Sequence, residues 1–398
     1  MKKILITMSA MFIGGAERSL IGLLNSIDYR EYTVDLFLYR HEGEFLHYIP
    51  EDVELLPLVD KYTTFDRPIK DILKSKLWFY GVLRLLAKTE ITFRSKIKKQ
   101  EMPVWPQMQV ISKYITPFLP NIEGKYDLAI NFIGIHDVLG KKINAKCKAG
   151  WIHTDYMIQK PIKQLDLKTY AQIDKIVNVS EECKVVFDKF YPQLKNKSNC
   201  IENILSANFI INQAVQEVLD MPERNDGEVI LCSVGRFCEA KNFDNVPKIA
   251  KRITKKGIQI KWILIGFGTD EKIIRESIKE TEMEETVFVL GKKENPYPYI
   301  KKCDIYVQPS RYEGKAVTVR EAQILNKPVV ITDFSTANSQ LKDGYDGLIV
   351  PMDLEQCAEK LAEFILNKDK QKVFVENTKR EDYTNSKEIE KLYRLMEE

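Results

Sequence analysis

The run Asp304-Ile-Tyr-Val-Gln308, followed by Glu313-Gly-Lys-Ala-Val-Thr-Val-Arg-Glu321, reads as a strand, a short glycine-containing loop and the start of a helix. Such a junction is a ready anion site, because backbone N–H groups at a helix N-terminus point at the ligand and the helix dipole favours negative charge. Glu313 falls in the loop, beside whatever binds. Glu321 falls about one turn inside the helix, at a rise of about 1.5 Å per residue. Ionised carboxylates only accept hydrogen bonds, so two of them beside an anion site suit the hydroxyls of a sugar or a ribose.

Outward from that junction, short apolar runs alternate with amphipathic ones. The first half offers strands at 3–8, 33–39, 127–132 and 175–179; the second offers 229–234, 261–265, 286–290, 304–308 and 328–331. Helical spacing recurs at Leu20, Ile21, Leu23, Leu24 and Ile27, and over 243–255, 271–281, 317–325 and 354–366. Strands alternating with helices imply a parallel sheet with crossover connections. Seen twice in 398 residues, the pattern predicts an α/β protein of two doubly wound domains. The polar stretch Pro222-Glu-Arg-Asn-Asp-Gly227 is the clearest boundary signal. The last run, 386–396, sets Ile389, Leu392, Tyr393 and Met396 on one helical face, which must dock on something.

Composition narrows the function. A chain that is 44% hydrophobic and 29% charged is an ordinary globular one, long enough to bury two cores without disulfides. The seven cysteines are scattered with no C-x-x-C, which reads as reduced thiols of a cytosolic protein. The four histidines lack the spacing of a metal cluster, and no Asp-x-Asp is present to hold a cation on a diphosphate. No metal is therefore expected. Lys2 and Lys3 before Ile-Leu-Ile imitate a signal peptide, but Thr7, Ser9, Gly14 and Gly15 interrupt the run, which reads as a first strand entering a loop. No stretch of about 18 apolar residues exists to span a membrane.

Charge is unevenly placed. Residues 67–113 hold eleven Lys/Arg and three acids, a net +8, so the rest of the chain carries −5 of the total +3. The same segment holds Trp78, Phe79, Tyr80, Leu83, Leu85, Leu86 and Trp105. It reads either as a surface for anionic lipid or as a helical pair with a solvated basic face. No nucleic-acid motif accompanies the charge, so nucleic acid is not an expected partner.

Further constellations lie where strands end. Gly14-Gly15-Ala-Glu17-Arg18 follows the first strand; it is not G-x-G-x-x-G, so a dinucleotide is not indicated. Ser233-Val-Gly235-Arg236, with Lys241, follows the strand at 229–234. A guanidinium and an ammonium there suit the two phosphates of a nucleotide diphosphate, although lone surface cations are the ordinary alternative. Ile265-Gly266-Phe267-Gly268 and Leu290-Gly291-Lys292 are strand-end glycines that either approach a base or ribose or simply turn the chain. Trp151-Ile-His153-Thr-Asp155-Tyr156 contains a histidine that is structural unless the polar neighbours mark a site.

Together these residues resemble the retaining GT-B glycosyltransferases, in particular the large family numbered four. Its E-x7-E pattern is matched by Glu313 and Glu321, its basic pair by Arg236 and Lys241, its N-terminal glycine loop by Gly14-Gly15-Ala-Glu17, and its N-domain histidine by His153. Asn338 and Asp343-Gly-Tyr-Asp-Gly347 also look like the family. The resemblance implies two Rossmann-like domains facing each other across a cleft, an acceptor domain at 1–205 and a nucleotide-sugar domain at 206–380, with 381–398 a helix crossing back.

It also implies roles. Arg236 and Lys241 would hold the donor diphosphate, Glu321 the ribose, and Glu313 the donor sugar. Gly314 and the N–H groups of Lys315, Ala316 and Val317 would assist, with Gly266, Gly291 and Lys292 lining the donor site. His153 would touch the donor sugar, and Gly14 and Gly15 the phosphates. Lys315-Ala316 departs from the family's usual residues after the first glutamate and glycine, which leaves the donor sugar open.

The function so implied is transfer from a nucleotide-sugar, expected to be UDP-linked, to a glycan or lipid-linked acceptor in bacterial capsule or exopolysaccharide synthesis. The setting is cytoplasmic, peripheral on the inner face of the membrane. A sugar-nucleotide epimerase and a non-catalytic sugar-nucleotide binder are the alternatives.

Overall fold

The computed structural model describes residues 1–154, 156, 159–313 and 316–397. The chain forms two compact units, one of Met1–Ile204 with Lys387–Glu398 and one of Leu205–Ser386.

The first unit is built on seven strands: β1 (Lys2–Met8), β2 (Tyr32–Leu38), β3 (Val53–Leu55), β4 (Tyr126–Asn131), β5 (Ala145–Ile152), β6 (Lys175–Asn178) and β7 (Ser198–Cys200). They lie in the order β3-β2-β1-β4-β5-β6-β7 with every pairing parallel. A parallel sheet is covered on both faces by its crossover helices, so its strands are apolar runs rather than alternations; Ile4, Leu5, Ile6 and Met8 of β1 are accordingly all buried. The register runs Ile4 to Val34 on one side and Ile4 to Leu128 on the other. Strand order reverses beside β1, which places a crevice at the carboxyl ends of β1 and β4. Helix α1 (Gly15–Leu24) leaves that edge directly.

The basic segment folds mainly into helices α2 (Trp78–Lys98) and α3 (Val104–Ile115). Beneath α3 lies a buried polar knot. Asp166 accepts from Gln109 Nε2 at 2.5 Å, Tyr156 Oη at 2.8 Å and Tyr191 Oη at 2.6 Å. Burial lifts the Asp166 carboxyl to about 6 against the pull of these donors. Tyr156 therefore belongs to the core, and the polarity read beside His153 comes from a packed residue; Asp155 lies outside the described residues.

The second unit carries β8 (Val229–Val234), β9 (Ile260–Ile265), β10 (Val287–Gly291), β11 (Ile305–Gln308), β12 (Val329–Thr332) and β13 (Leu348–Val350) in the parallel order β10-β9-β8-β11-β12-β13. Here the reversal falls between β8 and β11, which pair at Ile305–Leu231 and Tyr306–Cys232. The units meet in sequence at Ile204 and Leu205, and 222–227 lies inside the second. The reason is hydrophobic: Leu205, Ile210 and Ala214 are already buried in the second unit's core, so the polar turn that follows is a loop rather than a linker.

The last helix packs on the first unit. Leu392 is fully buried. The Tyr393 ring stacks on Tyr32 at 4.2 Å and 8°, while its Oη accepts the Asp28 N–H at 3.0 Å.

Candidate functional site

In the second unit, β8 ends at Val234 and delivers Gly235 and Arg236 to the carboxyl edge, while a 3-10 turn, Glu239–Lys241, carries Lys241. The next strand over, β11, delivers Gln308, Ser310 and Glu313 to the same edge. The two strands are those flanking the reversal in strand order, where ligands of open α/β sheets bind.

Lys241 and Glu313 meet there, with Nζ 2.5 Å from Oε1. Ser310 Oγ donates to the same Oε1 at 2.5 Å, and Gln308 Nε2 approaches it at 3.4 Å. Ser310 and Gln308 are themselves fully buried. Gln308 accepts from Tyr306 Oη at 2.7 Å and donates to Ser310 Oγ at 2.9 Å. Buried networks of this kind fix their members when every group is paired. Arg311, which the sequence reading passed over, ties the two loops together. Its guanidinium holds Asp244 in a fork at 2.7 and 2.9 Å and donates to the Glu239 carbonyl at 2.6 Å. Arg236, by contrast, is exposed and forms no ion pair among the described residues.

The helix after this loop, Val317–Ile324, has Ala316 at its N-cap. The Ala316 N–H donates to Gln340 Oε1 at 3.0 Å, so a ligand oxygen reaching this amide would have to displace that side chain. Val317 opens the helix with its side chain half-buried. Gly314 and Lys315 lie outside the described residues. Glu321 has no exposed surface, and its Oε1 accepts from Tyr297 Oη at 2.8 Å. Tyr297 was not singled out in the sequence; nothing in its spacing distinguishes it from a core aromatic.

The strand-end glycines differ among themselves. Gly266 has φ +153°, and a Cβ there would fall 1.8 Å from the Gly235 carbonyl oxygen. This glycine is required by the close approach of two loops, which supplies a structural reason for it. Gly291 has φ +72° with open space about it, and its carbonyl accepts from the Gly266 N–H at 2.9 Å. Lys292 lies over the Phe267 ring at 5.1 Å.

In the first unit, Gly14 caps α1 with extended backbone and Gly15 opens it, exposed. His153 follows β5, its ring 4.7 Å from Phe132. Burial pulls its imidazole down to about 4, against a hydrogen bond with the Phe132 backbone. His136, unremarked in the sequence, sits at the same edge after β4. It is buried, its Nδ1 is 2.8 Å from Asn131 Oδ1, and burial brings it to about 4 as well, opposed by Asp137. Neither ring's Nε2 has a partner among the described residues. Both imidazoles are therefore neutral at pH 7.

Residues 216–381 match the family model described as glycosyl transferases group 1. The matched stretch lies within the second unit. Relatives agree. The chain is 29% identical over 174 residues to an uncharacterised glycosyltransferase of Methanocaldococcus jannaschii, covering 43% of each chain. It is 26% identical over 172 residues to the poly(ribitol-phosphate) alpha-N-acetylglucosaminyltransferase of Staphylococcus aureus, covering 42% of this chain and 33% of that one. The alignments thus span less than half the length of these relatives. Among solved structures, S. aureus TarM in complex with fondaparinux, alpha-GlcNAc-glycerol and UDP matches with a TM-score of 0.68 at 15% identity, covering 100% of both chains. Anabaena HepE with UDP and glucose matches with a TM-score of 0.64 at 15% identity, covering 99% of this chain and 100% of that one. The fold of the chain is GT-B, as the resemblance implied.

Proposed function

We propose that this glycosyltransferase moves a sugar, with retention, from a UDP-linked donor to a glycan or lipid-linked glycan acceptor of a bacterial surface polymer, working in the cytoplasm at the inner face of the membrane. The observation that carries the reading is the Lys241–Glu313 pair at the β8–β11 reversal, with Arg236 two residues past the end of β8. An ammonium has three donors. One is spent on Glu313, which fixes its direction, and two remain for phosphate oxygens. Arg236 adds a guanidinium suited to a second phosphate. The contacts to Glu313 fall on Oε1, which leaves Oε2 to a sugar hydroxyl.

The chemistry follows from the leaving group. The anomeric C–O bond breaks and the diphosphate departs with the electron pair, so the barrier is charge separation. Fixed cations aimed at the departing phosphate lower it most. The acceptor hydroxyl then bonds to the anomeric carbon from the side the nucleotide leaves, and its proton passes to the leaving phosphate. We assign the ribose hydroxyls to Glu321, which Tyr297 holds. Because Glu321 is buried, that contact requires the side chains over it to part. His153, neutral at pH 7, and Gly14 and Gly15 are assigned to the donor sugar and phosphates.

Relatives named for transfer to poly(ribitol-phosphate) and to a diphospho-undecaprenol-linked glycan support the acceptor class, and the UDP complexes of structures sharing the fold support the donor. The test is a panel of sugar nucleotides, first by thermal stabilisation and then by nucleotide release with and without glycan acceptor. Acceptor-dependent release of UDP is expected. Conversion of the donor without acceptor would instead make the protein an epimerase, and stabilisation without any conversion would make it a binder.

A further inference from the structure

Helix α2 is apolar on two sides. Tyr80, Leu83 and Ala87 are buried in the core of the first unit. Tyr80 Oη donates to the Phe118 carbonyl at 2.8 Å, and Arg84 donates to the carbonyls of Thr64 and Phe65 at 2.6 and 2.5 Å. At about 100° per residue, Trp78, Val82, Leu85, Leu86, Phe93 and Ile97 fall in a separate sector roughly 120° wide, turned away from the buried one. They are 58, 39, 42, 47, 65 and 66% exposed. The row extends about 29 Å along the helix at 1.5 Å per residue. A surface helix ordinarily turns its second face to water with polar side chains. Thr89 and Lys96 interrupt the row, but six exposed apolar side chains along one helix face mark a docking surface.

Charge identifies the occupant. Lys96 lies within the apolar sector and Lys88 roughly 60° outside its edge, Lys70, Lys74 and Lys76 precede the helix, and Lys99 ends it. None of the six is in an ion pair among the described residues. Glu90, the acid within α2, is consumed by Arg94 at 2.8 Å, Lys113 at 2.7 Å and Tyr114 at 2.9 Å. A second copy of the chain would set one cationic face against another. An anionic lipid surface offers both what the apolar row and what the unpaired lysines lack.

We propose that α2 lies flat in the interface of an anionic bilayer, with the row from Trp78 to Ile97 at the acyl boundary and the flanking lysines at the headgroups. Lysine stems can cover apolar surface while their ammonium groups stay in the polar layer, so the two features occupy one depth profile. The inference deepens the membrane placement proposed above and rests on that reading for its setting, but its test needs no sugar transfer.

Purified full-length protein is mixed with vesicles of phosphatidylcholine alone or with phosphatidylglycerol, at about 0.1 M and about 0.5 M salt, and sedimented. Binding is expected to the phosphatidylglycerol vesicles and to weaken at high salt. The paired substitutions L86E with F93E, and separately K88E with K96E, are each expected to reduce it by about tenfold or more, with UDP-induced thermal stabilisation unchanged. Brominated lipid should quench the wild-type emission and spare that difference in Trp78→Phe. Equal binding by wild type and both paired variants, or indifference to phosphatidylglycerol, overturns the proposal. Concentration-dependent self-association without lipid, abolished by L86E with F93E, also overturns it and assigns the face to a second copy. Loss of UDP response in wild type would strike the transferase reading and leave this one standing.

Discussion

Replacing Tyr297 by Phe removes one oxygen atom from the second unit, and its cost can be worked from the structure. Tyr297 Oη lies 2.8 Å from Glu321 Oε1, and both side chains are buried. The Phe ring keeps its edge contact with Phe209 at 6.2 Å, so packing is preserved and the lost term is the hydrogen bond. Losing a buried side-chain hydrogen bond to a carboxyl group costs about 1.5–3 kcal/mol. For a unit of this size each kcal/mol moves the midpoint by about 2–4 °C, so Tyr297→Phe should melt roughly 3–12 °C below wild type.

The comparison is Tyr299→Phe, two residues on in the same helical turn. Tyr299 Oη donates at 2.5 Å to Asp220, whose side chain is 47% exposed. Water can replace that donor, so the cost should stay near or below about 1 kcal/mol. Urea unfolding followed by circular dichroism and by thermal melts measures both. Equal costs, or a larger one for Tyr299, would refute the claim that the buried Tyr297–Glu321 bond is worth more than the more exposed one at Tyr299.

Other outcomes follow from the same reasoning. His136 is near 4 in the fold and about 6.5 when unfolded, so protons bind the unfolded state first as pH falls. Its contribution is present above about 6.5 and is lost towards 4, by roughly 2 kcal/mol between pH 7 and 5; unfolding of His136→Asn should lack that loss. Asp166 works the other way. Raised to about 6, it takes up a proton in the fold first and adds about 1 kcal/mol over the same interval, an acid gain that Asp166→Asn should abolish. Gly266→Ala drives a Cβ to 1.8 Å from the Gly235 oxygen and should cost more than about 3 kcal/mol, whereas Gly291→Ala, with open space, should cost about 1. Leu392→Ala, at a fully buried position, should cost about 2–5 kcal/mol, read by urea melts of the first unit.

Most central strands were legible because a parallel sheet buried on both faces writes itself as continuous apolar runs, as in Val229–Val234; Ala145–Ile152 was missed, because Lys146 and Lys148 break its apolar run. The edge strands Val53–Leu55, Ser198–Cys200 and Leu348–Val350 were not legible. Three residues at a sheet margin carry too little hydrophobic pattern to stand apart from a loop. Of the candidate site, Arg236, Lys241 and Glu313 could be named because they match the basic pair and the E-x7-E spacing of the family the chain resembles. Arg311, Tyr297 and His136 escaped notice because each acts through a partner distant in sequence: Asp244 and Glu239 for the first, Glu321 for the second, and for the third a ring packed where Gly150 has no Cβ. Such pairings exist only once crossovers bring strand ends together. The burial of Glu321 was likewise invisible, since an E-x7-E spacing fixes position along a helix and not what covers it.

Cations at the β8–β11 reversal are proposed to hold a nucleoside diphosphate. Calorimetric titration with UDP, comparing wild type with Arg236→Ala/Lys241→Ala under matched salt, tests it most directly. Wild type should bind UDP, and the double variant should bind it at least about a hundredfold more weakly, as expected when two charge-assisted contacts are lost, measured at a temperature where both proteins are folded. Equal affinity in the two proteins would contradict it.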